Sequence, residues 1–410
     1  MQKKVIFWAA GMNAKNFVGC LREGVLVSAF VDNDALRWGE AFCGSHIIAA
    51  PDLSRYEYDY IVITTPDYHE ILDQLKDMGV GEGRIIVPFT PDQYDRKGWR
   101  EIFHTGELLY YVHEQRMAGM AWMLENIPYE ISAGMENGHF KRPIVRSIDE
   151  TLEKLREGYS MSRYGDGELN MVLGRNFSTF QHYDERLIRR LREIMVSNIP
   201  KHMVCIPDIY GDFFNKDESH KTWFRRHLSN GGRELDYNIF DMDKEYYNAF
   251  ITRPYKDYVD KQGAGERFLA LRALWDSRDI TIIEGQKTRF GVGNDLISNA
   301  KSCERILGPA VNAFDRYEEL FAQAKKISKN RIILIALGHT ATVLAYDLAL
   351  EGWQALDIGH LDIEYEWFLR KVDKKVLIEG KYVNEVPLGR TVPEYIPDEK
   401  YNSEIIKTIL

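Results

Sequence analysis

Ile332 to Leu337, reading Ile-Ile-Leu-Ile-Ala-Leu, most constrains the fold: an unbroken apolar run that ends at Gly338 and precedes a helical pattern from Val343 to Ala349. A strand without polar alternation is buried on both faces, as in a parallel sheet covered by helices. Shorter apolar runs repeat the theme at residues 3–8, 25–31, 60–64, 84–87, 202–207, 279–283 and 355–358. Strands alternating with helices at this spacing predict parallel sheets with right-handed crossovers. The expected class is therefore α/β: a Rossmann-like parallel sheet over residues 1–92, a helical connector over 93–146, and a second Rossmann-like domain with a C-terminal extension over 147–410.

Each region carries its own signals. A dinucleotide fingerprint wants Gly-x-Gly-x-x-Gly after the first strand; here only Gly11 stands in that loop, with Ala9 and Asn13 at positions that often carry glycine. Asp32 lies at the end of the second strand, where a ribose-binding carboxylate belongs, and it serves equally as a turn or cap. The stretch from Val31 through Gly44 and Pro51 to Ile63 resembles the small Rossmann-like domains beside sugar-modifying enzymes in bacterial polysaccharide clusters. Tyr110, Tyr111, Met117, Met120, Trp122 and Met123 fit a helical connector with a core or interdomain face; whether it mediates self-association into a homo-oligomer is open. Ser147 and Glu150 form a capping box that opens a helix stopped by Gly158.

A formal charge of −9 lacks the basic footprint of a nucleic-acid binder. The four cysteines have no metal-ligand spacing, and no apolar run reaches the roughly 18–20 residues that span a bilayer. With a start that carries no signal pattern, the expectation is a cytoplasmic protein with free thiols, not membrane-spanning.

The chemistry concentrates at glycine-containing strand ends. Tyr159 to Glu168 ends in Gly165-Asp166-Gly167-Glu168. In an extended segment Asp166 and Glu168 face the same side, which suits a hard divalent cation carrying phosphate oxygens, and the glycines allow close approach. The same pattern is common in solvated turns. Lys287 and Arg289 follow another strand, a way to offer cations and N–H groups to phosphate, with a surface salt bridge as the plain alternative. Gly338, Thr340 and Thr342 open a helix as an anion pocket. His360, Asp362, Glu364 and Glu366 crowd one strand end, dense for a structural loop.

Ser162 to Glu168, Lys287 to Gly291, Pro309 to Tyr317, Ala336 to Asp347 and Asp357 to Trp367 together resemble the GT-D type glycosyltransferases, long catalogued as a domain of unknown function. The resemblance covers roughly Ser147 to Lys374. It implies that Asp166 and Glu168 bind a divalent metal, Mn²⁺ or Mg²⁺, holding the diphosphate of a nucleotide-sugar donor, commonly a UDP-sugar, with a bacterial surface glycan or glycoprotein as acceptor. Arg163, Gly165, Lys287, Arg289, Gly338, Thr340 and Thr342 then attend the donor, and His360, Asp362 or Glu364 supplies a base. The competing readings are an NAD-dependent nucleotide-sugar oxidoreductase or epimerase, a sugar-nucleotide-binding scaffold, and a metal-dependent phosphohydrolase.

Overall fold

The computed structural model describes residues 2–65, 68–88, 97–103, 124–125, 127–139, 141–175, 181–229, 231–393 and 397–410. The chain divides into two compact units, Met1–Lys141 and Arg142–Leu410.

The first unit carries strands β1 (Lys4–Trp8), β2 (Leu26–Val31), β3 (Ala41–Phe42), β4 (Ser45–Ile48), β5 (Tyr60–Ile63) and β6 (Ile85–Ile86) in the order β3-β4-β2-β1-β5-β6. Helices α1 (Met12–Val18), α2 (His69–Asp77) and α3 (Lys97–Ile102) accompany them, and residues 127–136 form α4. Ile6 and Trp8 pack on one face of the sheet, Val5 and Phe7 on the other, so both faces are covered. The β3–β4 pair is antiparallel and turns at Cys43 and Gly44, both left-handed, a hairpin the sequence reading did not anticipate. Asp32 accepts the Ala10 N–H at 3.0 Å and pairs with Arg37 at 3.0 Å. Its carboxylate thus closes the Gly11 loop. The aromatic and Met residues expected in the connector lie outside the described residues.

The second unit holds β7 (Ile144–Val145), β8 (Ser160–Arg163), β9 (His202–Ile206), β10 (Glu245–Asn248), β11 (Asp279–Gly285), β12 (Ser302–Gly308), β13 (Ile332–Ala336), β14 (Gln354–Asp357) and β15 (Ile405–Thr408). They form one sheet in the order β15-β12-β11-β13-β14-β8-β9-β10-β7, parallel at every pairing. Its helices are α5 (Ile148–Arg156), α6 (Asp166–Val172), α7 (Glu185–Val196), α8 (Glu218–Leu228), α9 (Gly232–Ile239), α10 (Ala264–Arg272), α11 (Tyr317–Ala324), α12 (His339–Leu350), α13 (Leu361–Leu369) and α14 (Glu399–Glu404). All of β13 is buried, and each isoleucine there contributes about 1.5–3 kcal/mol by leaving water. The Ser147–Glu150 capping box is present, with the Glu150 N–H donating to Ser147 Oγ at 3.2 Å.

Two local expectations are corrected. Asp166 and Glu168 are not extended: Gly165 is the N-cap of α6, and the two carboxylates occupy its first and third positions. The acidic stretch after Gly359 is not a loop but α13, with Leu361 to Trp367 all buried. Among the described residues, no helix is long and apolar enough to cross a membrane.

Candidate functional site

In an open parallel sheet, ligands bind beyond the carboxyl ends of the strands. Here the neighbouring strands β13, β14 and β8 end at Ala336, Asp357 and Arg163 and lead into α12, α13 and α6. Gly338 has φ 54° and ψ −140°, a conformation open to glycine, and turns the chain sharply from β13 into α12. The first N–H groups and partial positive charges of α12 and α13 therefore face the carboxyl edge of the sheet.

The α6 acids lie at this edge. Asp166 is exposed and makes no hydrogen bond or ion pair among the described residues. Glu168 turns back, so that Oε2 accepts the Gly165 N–H at 2.8 Å, while Oε1 lies 3.9 Å from His339 Nε2. His339 is 4% exposed, and neither ring nitrogen has a hydrogen-bonding partner among the described residues. A Cβ on Gly167 would come within 2.9 Å of that same Nε2, so only glycine lets the imidazole sit there undisturbed.

Arg163 is fixed rather than free. Its Nε donates to the Asp357 carbonyl at 3.0 Å, a terminal nitrogen lies 3.5 Å from Asp357 Oδ1, and its guanidinium fills the space above Gly359 that a Cβ would occupy. Asp357 also accepts from the Arg163 N–H and from Thr342 Oγ1, both at 3.2 Å. Burial pushes Asp357 up to about 6, against the pull of Arg163 and with the Glu168 charge adding. Thr342 is thus committed to the scaffold, whereas the buried Thr340 hydroxyl is unpartnered among the described residues.

The β11 loop splits the two cations expected to act together. Lys287, with no side-chain partner among the described residues, lines a cavity of about 430 Å³ with Arg390, Tyr382, Pro309 and Val311. Arg289 is 8% exposed, pairs with Asp398 at 3.1 Å and stacks 4.5 Å over the Tyr401 ring. Arg289 thus makes a salt bridge, but a buried one rather than the surface pair of the plain alternative.

The α13 acids are interior. Asp362 is 2% exposed, pairs with Lys381 at 2.6 Å and accepts the Gly291 N–H at 3.0 Å. Glu364 is fully buried; Oε2 accepts the Tyr255 and Lys256 N–H groups at 3.3 and 3.0 Å, and Oε1 lies 3.7 Å from Arg253. Glu366 joins Lys381 at 3.3 Å. His360, at the N-cap of α13, keeps a partly exposed side chain, with Nε2 3.0 Å from Asn384 Oδ1 and Nδ1 3.6 Å from Glu385. Burial lowers its pKa, leaving the ring neutral near pH 7.

Another trio, His182, Asp184 and Asp315, brings its ligand atoms within 4.8 Å of one another. Asp184, however, is spent as the N-cap of α7 and in an ion pair with Arg186 at 2.8 Å. His339 and Asp357 were not singled out from the sequence as site residues. Their signals were a histidine opening a helix after a strand-end glycine, and an acid closing a buried strand.

Comparison with known proteins converges on the second unit. The family model described as glycosyltransferase GT-D fold matches residues 161–386, and one described as C2185-like, N-terminal, matches residues 1–86. The chain is 39% identical over 269 residues to glycosyltransferase GlyD of Streptococcus pneumoniae serotype 4, and 38% identical over 267 residues to a probable glycosyl transferase Gly of Streptococcus gordonii. Each match takes in 65% of this chain but only 32% and 39% of those proteins, so the chain spans well under half of their length. A solved structure called a new glycosyltransferase from Streptococcus sanguinis matches with a TM-score of 0.62 and 37% identity, covering 66% of this chain and 100% of that one. A structure of domain of unknown function 1792 matches with a TM-score of 0.62 at 34% identity, covering 65% of this chain and 96% of that one.

Proposed function

The chain belongs to the glycosyltransferase GT-D fold family, and on that premise we propose that it moves a sugar from a nucleoside-diphosphate sugar, a UDP-sugar, to a bacterial surface glycan or glycoprotein. The observation that carries this reading is that α6, with Asp166 and Glu168 in its first turn, opens at the same carboxyl edge of the sheet as the N-termini of α12 and α13. Asp166, exposed and uncommitted, and Glu168 both stand in the first turn of α6, and we take them as the oxygen ligands of a divalent cation, Mn²⁺ or Mg²⁺. When bound, that cation supplies Lewis-acid stabilisation of the departing diphosphate.

The protein's own groups do the rest. The N–H groups opening α12 and the Thr340 hydroxyl receive phosphate oxygens, aimed where negative charge grows as the glycosidic bond breaks. Arg163, held by Asp357, sets the positive wall of the site. Lys287, three strand positions from β8 and so about 14 Å across the edge, offers a cation to the far end of the donor. Arg289 serves the scaffold instead. His360, neutral, takes the acceptor hydroxyl's proton once Nε2 is released from Asn384 Oδ1, because Nδ1 is buried. Asp362 and Glu364 hold α13, and hence His360, in place.

The test is a screen of UDP-, GDP- and dTDP-sugars for turnover with Mn²⁺, Mg²⁺ or EDTA. One UDP-sugar is expected to turn over with metal and to stop with EDTA. Binding of NAD(H) with no sugar nucleotide turned over under any condition would sink the reading.

A further inference from the structure

We propose that the cavity beyond the carboxyl ends of β11 and β12 receives the donor's sugar, and that Lys287 and Arg390 bind a carboxylate on it, making the donor a nucleotide-linked hexuronate. The inference rests on the donor reading above and deepens it by naming the class of sugar.

Three stretches of chain build the cavity. β11 ends at Gly285 and leads into Gln286 and Lys287, while β12 ends at Gly308 and leads into Pro309 and Val311. Tyr382 and Arg390 complete the lining from the C-terminal part of the chain. Backbone hydrogen bonds tie these pieces together. The Tyr382 N–H donates to the Lys287 carbonyl at 3.0 Å, the Gln286 N–H to Gly308 at 3.0 Å, and the Val383 N–H to Gly389 at 2.8 Å. Gly389 admits no side chain, because a Cβ there would collide with the Val383 carbonyl. The chain thus folds back tightly and brings Arg390 near Tyr382, close enough to oppose the rise that burial causes in the Tyr382 pKa.

Charge points to the occupant. Neither Lys287 nor Arg390 has a side-chain partner among the described residues, and no Asp or Glu side chain lines the cavity. Yet the chain carries a formal charge of −9, and the nearby Arg289 and Arg305 each pair with a carboxylate, at 3.1 and 2.7 Å. Two cations left together beside apolar side chains favour an incoming anion. The donor's diphosphate is assigned to the start of α6, about 14 Å along the sheet edge, a gap that one pyranose and the Lys287 stem bridge together. A planar carboxylate matches the guanidinium fork of Arg390, and Pro309, Val311 and the Tyr382 ring offer apolar surface to the C–H face of a pyranose. A volume of about 430 Å³ is in the range of small-ligand sites.

The test reads donor binding by the full chain with Mn²⁺, through calorimetric titration of UDP-glucuronate, UDP-glucose and UDP. UDP-glucuronate should bind about tenfold or more tightly than UDP-glucose, the scale of one charge-assisted contact. Arg390→Gln should erase most of that margin while UDP affinity stays unchanged. Arg390 is exposed, so the fold should survive, as circular dichroism would verify. Lys287→Gln should narrow the margin in the same direction. Methyl glucuronide separates the two substrates that could bring the carboxylate: it should not bind once UDP-glucuronate saturates the protein. Methyl glucuronide that binds the UDP-glucuronate complex, and is lost in Arg390→Gln, would put the anion on the acceptor and overturn the donor assignment. UDP-glucose binding as tightly as UDP-glucuronate would overturn it too. So would an Arg390→Gln variant that weakens UDP as much as UDP-glucuronate, since the cavity would then hold the nucleoside. If UDP itself binds with no metal, the donor reading falls first, and this inference with it.

Discussion

Glu364 shows how far one residue can depart from its usual chemistry. Burial raises it to about 7, with Asp257's charge adding and Arg253 opposing. Unfolded, it titrates near 4.3. Between those values the native state binds the extra proton, so stability falls as pH rises through the window. Asp257 and Glu385 act with the opposite sign: both are held below the usual range, chiefly by Arg253 against their burial, and lose their contribution only in acid. Glu364→Gln can still accept the Tyr255 and Lys256 N–H groups without the charge. It should therefore flatten the decline between pH 5 and 7, by on the order of 2–3 kcal/mol across the window. Urea unfolding at several pH values checks this; a decline as steep as wild type's would contradict it. Nothing in the local sequence announces this behaviour, because the groups that surround Glu364 come from residues 253–257 and 385.

At the scale of elements, the misreadings have a shared cause. Asp166-Gly167-Glu168 reads as an extended segment, yet glycine at an N-cap with glutamate three residues later is a legible helix start. Leu361 to Trp367 alternates apolar and acidic residues, a period of two, and folds as a helix because Lys381 and Arg253 neutralise acids on a fully buried surface. By contrast β13, β11 and the Ser147 cap were legible outright, since burial on both faces and capping chemistry are written locally. Gly359, with φ 45°, joins β14 to α13 and leaves room for Arg163. Gly359→Ala should strain the backbone, displace the guanidinium and lower kcat/KM about 100-fold. Gly352, with φ 91° at the far end of α12, is the control: Gly352→Ala should cost stability but leave kcat/KM within a few-fold. Equal kinetic losses in the two variants would contradict a special role for the Arg163 cradle.

For the whole molecule, the sequence reads as a Rossmann-like sheet over 1–92, a helical connector over 93–146 and a second α/β domain from 147. The structure draws the boundary at Lys141 and Arg142. The first unit's loop carries Asp32 turned inward onto Ala10 and Arg37, which accounts for a ribose-type acid without the full glycine fingerprint. The proposed donor chemistry lies wholly within the second unit, whose match covers an entire solved chain. The measurement that tests this account most directly is calorimetric titration of UDP into the full chain and into residues 142–410, with Mn²⁺ or EDTA. Asp166→Asn and Asp315→Asn accompany them as the site variant and the control for the other carboxylate cluster. Mn²⁺-dependent binding of similar affinity in both proteins, lost in Asp166→Asn and kept in Asp315→Asn, is the predicted result. Binding that ignores Mn²⁺, survives Asp166→Asn, or needs residues 1–141 would contradict a metal–diphosphate site at the start of α6.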